Sequence, residues 1–282
     1  MEPRLLVLHG HRVAYREAGE GPPLLLVHGI AGDSRTWREA MRYLARSHRV
    51  IAPDLPGHGD SAAGSVDYSL GAHACFLRDL LAALGVSRTT VIGHSLGGGI
   101  ALQLTYQYPD LCERLVLVAS GGLGREVSPL LRALSLPGAE LVLPLFLPPF
   151  VRRRGEALAG WLRERGIRSP RMAEVWQSYA SLFDRPTRAT FLRELRAVVD
   201  HRGQVVSARD RLYLANHPIL IVWGDRDHFI PVEHAHAAHR AIPGSELAVF
   251  EGVEHFPHAE QPERFAERVV RFMAATRVPD AA

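Results

Sequence analysis

The pentapeptide Gly93–Gly97 places a serine between glycines, and its setting makes Ser95 a candidate nucleophile. The branched apolar run Thr89–Ile92 predicts a buried strand before it, and Leu96–Tyr106 predicts a helix after it. So tight a strand-to-helix turn needs small residues two positions before and two after the serine. The hydroxyl would then lie at a helix N-terminus, where backbone N–H groups favour a developing negative charge. The sequence therefore predicts nucleophilic catalysis by Ser95.

A serine hydroxyl is a weak nucleophile until a base takes its proton, and fifteen histidines are available. His255 follows the last predicted strand in a glycine-containing loop, which places it at the same sheet edge as Ser95. His258 stands beside the final helix, and we assign it a structural role. Asp225 and Asp227 both follow the preceding strand. Asp227 lies further into the loop and is predicted to hold the imidazole, whereas Asp225 is predicted to brace the loop.

The negative charge that forms on the reacting oxygen needs hydrogen-bond donors. The Leu96 N–H, immediately after the nucleophile, is one candidate. The loop His28–Gly32 follows the third predicted strand, and its glycines let the backbone approach a ligand closely. The Ile30 N–H is therefore the second predicted donor, while His28 is assigned a structural role beneath the loop.

Alternating strands and helices are predicted to position these residues. The predicted strands are Leu5–Leu8, Val13–Glu17, Leu24–His28, Val50–Pro53, Thr89–Ile92, Leu115–Ala119, Ile219–Trp223 and Glu246–Phe250. The predicted helices are Thr36–Ala45, Leu70–Leu84, Leu96–Tyr106, Val232–Ala241 and Pro262–Ala275. Apart from an initial hairpin, this order predicts a mostly parallel sheet covered on both faces. The alternation fails over residues 121–216, which predicts an inserted helical cap between core segments 1–120 and 217–282.

Five ordered motifs resemble those of the α/β-hydrolase superfamily, of the cap-bearing kind. They are His28-Gly29, Asp54–Ser61, Gly93–Gly97, Gly224-x-x-Asp227-x-x-x-Pro231 and Gly252-x-x-His255-x-Pro257-His258. The resemblance covers nearly the whole chain except the cap. It implies an α/β fold, with a mostly parallel eight-stranded sheet flanked by helices and an inserted helical cap.

The resemblance also implies roles for individual residues. It makes Ser95 the nucleophile, Asp227 the acid and His255 the base, with the Ile30 and Leu96 amides as the oxyanion hole. The Asp54–Ser61 segment would be a structural loop. Haloalkane dehalogenases and epoxide hydrolases of this fold carry aspartate at the elbow, so a serine there implies acyl cleavage instead.

Composition excludes several other kinds of chemistry. All 33 residues in the lysine-plus-arginine count are arginine, which excludes a Schiff-base lysine, a P-loop lysine and a Ser-Lys dyad. The net charge of +3 gives no support for nucleic-acid binding.

The apolar stretch Leu134–Val151 holds four prolines, so no stable membrane insertion is expected. The N-terminus lacks a signal-like segment, and a cytoplasmic location is expected. The histidines of Glu233–His239 are interpreted as an exposed helix face, with no metal expected.

Two segments of the predicted cap have open interpretations. Leu141–Phe150 would line an acyl pocket or form the cap's own core. Val151–Arg171 holds seven arginines among apolar residues, which fits a solvated helix or a surface that contacts lipid or an anionic substrate.

The leading functional hypothesis is a cofactor-free serine hydrolase. His255 would deprotonate Ser95 during attack on an acyl carbon, and water activated by the same histidine would release the acid. The expected partner is a small-molecule acyl substrate, a carboxylic ester with a moderately apolar part. One alternative is a carbon–carbon hydrolase of a vinylogous diketone, in which a cap arginine such as Arg188 would bind a carboxylate. Another is a non-catalytic small-molecule receptor that retains the fold. Oligomeric state stays undetermined.

Overall fold

Strands and helices alternate through the computed structural model, which describes residues 2–63, 67–166, 169–208 and 217–276. The strands are β1 (Arg4–Leu8), β2 (His11–Ala18), β3 (Pro23–Val27), β4 (Arg49–Pro53), β5 (Thr89–His94), β6 (Cys112–Val118), β7 (Val199–Asp200), β8 (Gly203–Gln204), β9 (Ile219–Gly224) and β10 (Glu246–Phe250). The helices are α1 (Arg38–Leu44), α2 (Leu70–Ala83), α3 (Leu96–Gln107), α4 (Pro129–Leu134), α5 (Ala139–Val142), α6 (Pro149–Glu164), α7 (Pro170–Ser181), α8 (Arg185–Val198), α9 (Glu233–Ala241), α10 (Pro257–Glu260) and α11 (Pro262–Ala275). Single 3₁₀ turns lie at Ser34–Trp37, Pro109–Leu111 and Leu143–Phe146.

Eight strands form one sheet in the order β1-β2-β4-β3-β5-β6-β9-β10. The β1–β2 and β2–β4 pairs are antiparallel, and the other five pairs are parallel. The mostly parallel eight-stranded sheet predicted from the sequence is therefore confirmed. The separate β7–β8 hairpin is unpredicted, because two-residue strands have no detectable periodicity.

The two faces of the sheet belong to two hydrophobic clusters. Successive side chains of β3 alternate between them: Leu24 and Leu26 pack with residues of α1 and α11, whereas Leu25 and Val27 pack with residues of α2 and α3. All four side chains are buried. Burial on both faces explains the continuous apolar runs of the central strands.

One edge of the sheet collects the loops that follow the parallel strands. Val27 of β3 pairs with Gly93 of β5, and Phe250 of β10 pairs with Gly224 of β9. Since these strands run in the same direction, the segments that follow them emerge together. The fold therefore brings the loops after β3, β5, β9 and β10 to a common edge.

The described residues between β6 and β9 form five helices, α4–α8, and the β7–β8 hairpin. We call the described part of this segment, residues 121–166 and 169–208, the insertion. It contacts the loop after β3, because Ser181 of α7 donates a hydrogen bond to the Ala31 carbonyl and Gln177 donates one to Asp33. Residues 209–216, the end of the predicted cap, lie outside the described residues. Among the helices that the structure describes, none has the length and apolarity needed to cross a bilayer.

Candidate active site

Ser95 stands in a strained turn between β5 and α3. Its φ is 55° and its ψ is −118°, a backbone conformation that residues other than glycine rarely adopt. The neighbouring glycines are required sterically. A Cβ at Gly93 would lie 2.2 Å from the Gly97 carbonyl oxygen, and a Cβ at Gly97 would lie 2.3 Å from the Val27 carbonyl oxygen. The turn therefore brings the start of α3 directly against the backbone of β3 and leaves no room for a side chain at Gly93 or Gly97.

His255 and Asp227, predicted from separate loops, are in contact. His255 Nδ1 lies 2.7 Å from Asp227 Oδ2, and both side chains are buried. Asp227 Oδ1 accepts hydrogen bonds from the Phe229 and Ile230 amides at 2.8 and 3.0 Å. An ionised carboxylate only accepts hydrogen bonds, so Nδ1 of the neutral imidazole carries the proton. That tautomer leaves Nε2 with a free lone pair, as a general base requires.

The hydroxyl of Ser95 makes no hydrogen bond to another described side chain, His255 included. Catalytic hydrogen bonds are often long without substrate and tighten in the reacting complex. The structure thus joins His255 to Asp227 directly and brings Ser95 to the same sheet edge.

The loop after β3 lies over the Ser95 side chain. A Cβ at Gly29 would be 3.0 Å from Ser95 Cβ, so a larger residue would crowd this approach. The turn closes through a 3.1 Å hydrogen bond from the Gly32 amide to the Gly29 carbonyl. Within the described residues the Ile30 amide donates no hydrogen bond, which leaves it available for a ligand. Ile30 and Leu96 both line the cavity that contains Ser95.

His28 fixes this loop from below, as the sequence predicts. Its Nε2 accepts a 3.0 Å hydrogen bond from the Leu55 amide, so its Nδ1 donates to the Gly29 carbonyl at 2.8 Å. Burial, together with the nearby His58, lowers the pKa of His28 to about 4. The ring therefore stays neutral, the form that these two hydrogen bonds require.

A layer of buried aromatic rings supports His255. His94 Nε2 donates a 2.8 Å hydrogen bond to the His255 carbonyl, and its ring lies 4.6 Å from that of His258. Burial and then the nearby His258 hold the pKa of His94 well below its usual range. His258 stacks at 4.2 Å on Trp37 and hydrogen-bonds Thr36 at 2.8 Å. Burial lowers the pKa of His258 to about 3, which fits the structural role predicted for it.

The positioning role of His94 was not predicted from the sequence. Its only signal was its place inside the pentapeptide, directly before the serine. Its partner in the hydrogen bond is 161 positions away along the chain, a contact that local sequence patterns do not reveal.

Two further aspartates of the motifs, Asp54 and Asp225, are structural. Asp54 Oδ1 accepts from the Ser34 amide at 2.8 Å and Oδ2 accepts from the Asp60 amide at 2.9 Å, which ties the Asp54–Ser61 loop to the 3₁₀ turn before α1. Asp225 accepts a 2.7 Å hydrogen bond from the Gly252 amide and so joins the loops after β9 and β10. Both arrangements agree with the predicted bracing roles.

Ser95 opens into a cavity of about 120 Å³ between the sheet edge and the insertion. Its wall combines residues of α2 and α3 with residues of α4, α8 and the β7–β8 region. None of the described side chains that line it is charged. Its apolar lining residues include Leu70, Leu102, Val127, Leu131, Leu195, Val198 and Ile230, and its polar ones include Gln103, Tyr106, Gln204 and Ser207.

Comparison with known proteins agrees with this geometry. The profile of the family described as alpha/beta hydrolase fold matches residues 22–262. The chain belongs to the α/β-hydrolase family. The match spans most of the chain, including every motif at the sheet edge.

Relatives of this α/β hydrolase include enzymes of two kinds. It is 46% identical over 279 residues to an uncharacterized protein of Mycobacterium tuberculosis, with 95% of this chain and 80% of that protein covered. It is 25% identical over 275 residues to the 2-hydroxy-6-oxo-6-phenylhexa-2,4-dienoate hydrolase of Burkholderia cepacia, with 95% and 93% covered. The solved structure of an esterase from Rhodococcus sp. ECU1013 is 27% identical, covers 98% of this chain and 99% of its own, and has a TM-score of 0.69. The protein is therefore an enzyme of this fold.

Three interpretations drawn from the sequence of the α/β hydrolase need correction. The histidines of α9 are not all exposed, because His234 is buried and lies 2.8 Å from Glu126. Leu141–Phe150 neither lines the cavity nor forms a core, apart from the buried Leu143 and Leu147. Arg188 does not line the cavity; its Nη1 donates a hydrogen bond to the Leu182 carbonyl at 2.8 Å.

The structure shows no group of three or more described His, Cys, Asp or Glu side chains arranged to hold a metal ion.

A buried carboxylate links the insertion of the α/β hydrolase to its core. Glu194 of α8 lies 2.8 Å from Nε2 of His73 on α2 and 3.2 Å from Nε2 of His58, in the loop after β4. Burial alone would raise the pKa of Glu194, but His58 and His73 lower it to about 2. Burial would likewise lower the pKa of His58, but Glu194 raises it. The His58 ring also lies 5.2 Å from that of His28, beneath the loop after β3.

Proposed function

We propose that this α/β hydrolase cleaves a carboxylic ester of a small, uncharged and moderately apolar substrate through an acyl-enzyme. The observation that carries the proposal is the cavity beside Ser95, whose described lining is mostly apolar and carries no charged side chain. A neutral wall favours a substrate without formal charge, since a buried unpaired charge costs several kcal/mol. In this proposal the insertion is a cap that completes the acyl pocket.

The proposed mechanism assigns each residue one task. His255 Nε2 takes the Ser95 proton as the serine oxygen attacks the acyl carbon, and Asp227 stabilises the imidazolium that forms. The Ile30 and Leu96 amides stabilise the oxyanion. The imidazolium then protonates the leaving alcohol. A water activated by the same histidine attacks the acyl-enzyme and releases the acid.

A second candidate is a carbon–carbon hydrolase. It is supported by the similarity to the dienoate hydrolase of Burkholderia cepacia, whose name describes a carboxylate substrate. Such a substrate needs a cationic partner, and the described wall of the cavity supplies none. The ester is therefore the better supported substrate class.

A covalent probe tests the enzymatic role of Ser95. We expect a fluorophosphonate to label the wild type and not Ser95→Ala, and ester turnover to fall by about 10⁴-fold or more in the variant. Ser207→Ala is the matched control, because Ser207 lines the same cavity and should leave labelling intact. Labelling that persists in Ser95→Ala, or no labelling of the wild type, would contradict the proposal and favour a non-catalytic receptor.

A substrate panel tests the ester class and the acyl pocket. We expect p-nitrophenyl esters of graded chain length to be cleaved with higher kcat/KM than a vinylogous diketone acid. Leu131→Trp, which adds bulk to the wall formed by α4, should move the optimum towards shorter acyl chains. Preference for the diketone acid would instead support the carbon–carbon hydrolase, and an unchanged optimum would show that the acyl chain does not enter this cavity.

A further inference from the structure

Exposed apolar side chains are concentrated on the insertion. Of the fifteen large hydrophobic residues that the described structure exposes, thirteen lie between residues 130 and 206, and the other two are Leu5 and Val7 of β1. Leu141 is 77% exposed, and Leu145 and Phe146 are 76% and 65% exposed. Single exposed apolar residues need no explanation, but such a concentration on one segment marks an interaction surface.

Helix α6 has two apolar stripes, and packing accounts for only one of them. Val151, Gly155, Ala159 and Leu162 form a half-buried stripe. It faces α7, because a Cβ at Gly155 would lie 1.9 Å from the ring of Trp176. None of the described residues of α6 is fully buried, so this helix lies on the outside of the insertion.

The second stripe of α6 lies on a face of the helix that does not pack against α7. Phe150, Leu158 and Trp161 are 52%, 56% and 47% exposed. At 3.6 residues per turn, these three side chains lie within an arc of about 80°. Arg154 falls within the same arc, and Arg165 directly follows the last residue of the helix. Apolar and arginine side chains are therefore interspersed along an exposed face of a surface helix.

The arginines of this stripe lie against its aromatic rings. The Arg154 guanidinium is 5.7 Å from the Phe150 ring centroid, and the Arg165 guanidinium is 3.9 Å from that of Trp161. Long arginine side chains cover apolar surface while the charge stays in a polar layer. We call the five residues Phe150, Arg154, Leu158, Trp161 and Arg165 the arginine–aromatic face.

We propose that the arginine–aromatic face docks on an anionic lipid surface. Helices that lie in the plane of a bilayer have this composition, with Trp, Phe and Leu buried at the acyl boundary and arginines at the headgroups. Positive charge on this face complements anionic headgroups. A two-fold contact with a second copy would instead bring the same arginines together. The proposal concerns docking and holds whether or not the proposed ester hydrolysis is correct.

Vesicle binding tests the proposal directly. The Ser95→Ala protein would be co-sedimented with phosphatidylcholine vesicles and with vesicles that contain one quarter phosphatidylglycerol, so that turnover plays no part. We expect at least about tenfold tighter binding to the anionic vesicles, weakened at high salt. Emission from Trp161 should shift to shorter wavelength on binding, and Trp161→Phe should lose most of that shift, because Trp37 and Trp223 are fully buried and Trp176 is half-buried against Gly155.

Matched variants assign the binding to this face. Phe150→Glu/Leu158→Glu should weaken binding at least tenfold. Leu5→Glu/Val7→Glu, which changes two residues of β1 that are more exposed than Phe150 and Leu158, should leave binding unchanged. Equal or absent binding to both vesicle types would overturn the proposal, as would equal effects of the two double variants. A concentration-dependent dimer that Phe150→Glu/Leu158→Glu dissociates, without vesicle binding by the parent protein, would also overturn it and identify a second copy as the occupant.

Discussion

Two aspartates leave β9 within three residues of each other, and their hydrogen bonds distinguish their tasks. Asp227 holds His255, whereas Asp225 holds the Gly252 amide. We expect Asp227→Asn to lower kcat for an ester by about 10⁴-fold, because an amide would favour the wrong imidazole tautomer. Asp225→Asn should change kcat by less than about tenfold, since it removes only a loop brace. Equal losses in steady-state kinetics of both variants would refute the role proposed for Asp227.

The contacts of individual residues could be predicted only where the order of elements determines them. Asp227 and His255 follow neighbouring parallel strands, so the sequence predicts their approach, and the structure shows the 2.7 Å contact. The ring layer of Trp37, His94 and His258 joins a 3₁₀ turn, a strand end and a short helix. No periodicity relates those three segments, so their contact had no signal in the sequence.

At the scale of elements, the packing of α3 on β3 depends on one glycine. We expect Gly97→Ala to lower the free energy of unfolding by about 3 kcal/mol, because its Cβ would meet the Val27 carbonyl oxygen at 2.3 Å. Gly99→Ala is the control in the same helix. Its Cβ would lie 3.6 Å from Leu70, so a gain of up to about 1 kcal/mol is expected. Urea denaturation measures both, and similar values would show that the elbow tolerates a larger residue.

The strands of the sheet were easier to predict than the helices of the insertion, because their burial is reflected in their composition. Central strands such as β3 are buried on both faces and are bounded by glycine and proline, so composition alone indicates them. In the segment Leu141–Phe150 composition predicts burial, yet most of its side chains are exposed. Apolar character indicates that a surface needs a partner, but it does not identify the partner.

At the scale of the whole molecule, Glu194 makes the packing of the insertion on the core depend on the protonation of buried side chains. Its carboxylate and the two imidazoles it contacts are all buried, and they come from three separate segments of the chain. Removing one partner of a buried ion pair leaves the other charge uncompensated. No local sequence pattern indicates this cluster, because Glu194 is 121 positions from His73 along the chain.

Glu194→Gln should therefore destabilise the protein in a pH-dependent way. The pKa of Glu194 falls from 4.5 to about 2 on folding, so its stabilisation is present above about pH 4.5 and is lost as the pH falls towards 2. The pKa of His58 rises above 6.5, so its stabilisation is present below 6.5 and is lost as the pH rises through the folded value. We expect the loss of unfolding free energy in Glu194→Gln to reach about 3 kcal/mol between pH 4.5 and 6.5 and to shrink at lower and at higher pH.

Glu156→Gln, which breaks the exposed pair with Arg152, is the control and should lower the free energy of unfolding by less than about 1 kcal/mol. Urea titrations at about pH 3, 5.5 and 8.5 measure the profile, and a loss that is independent of pH would show that the cluster is uncharged in the folded protein.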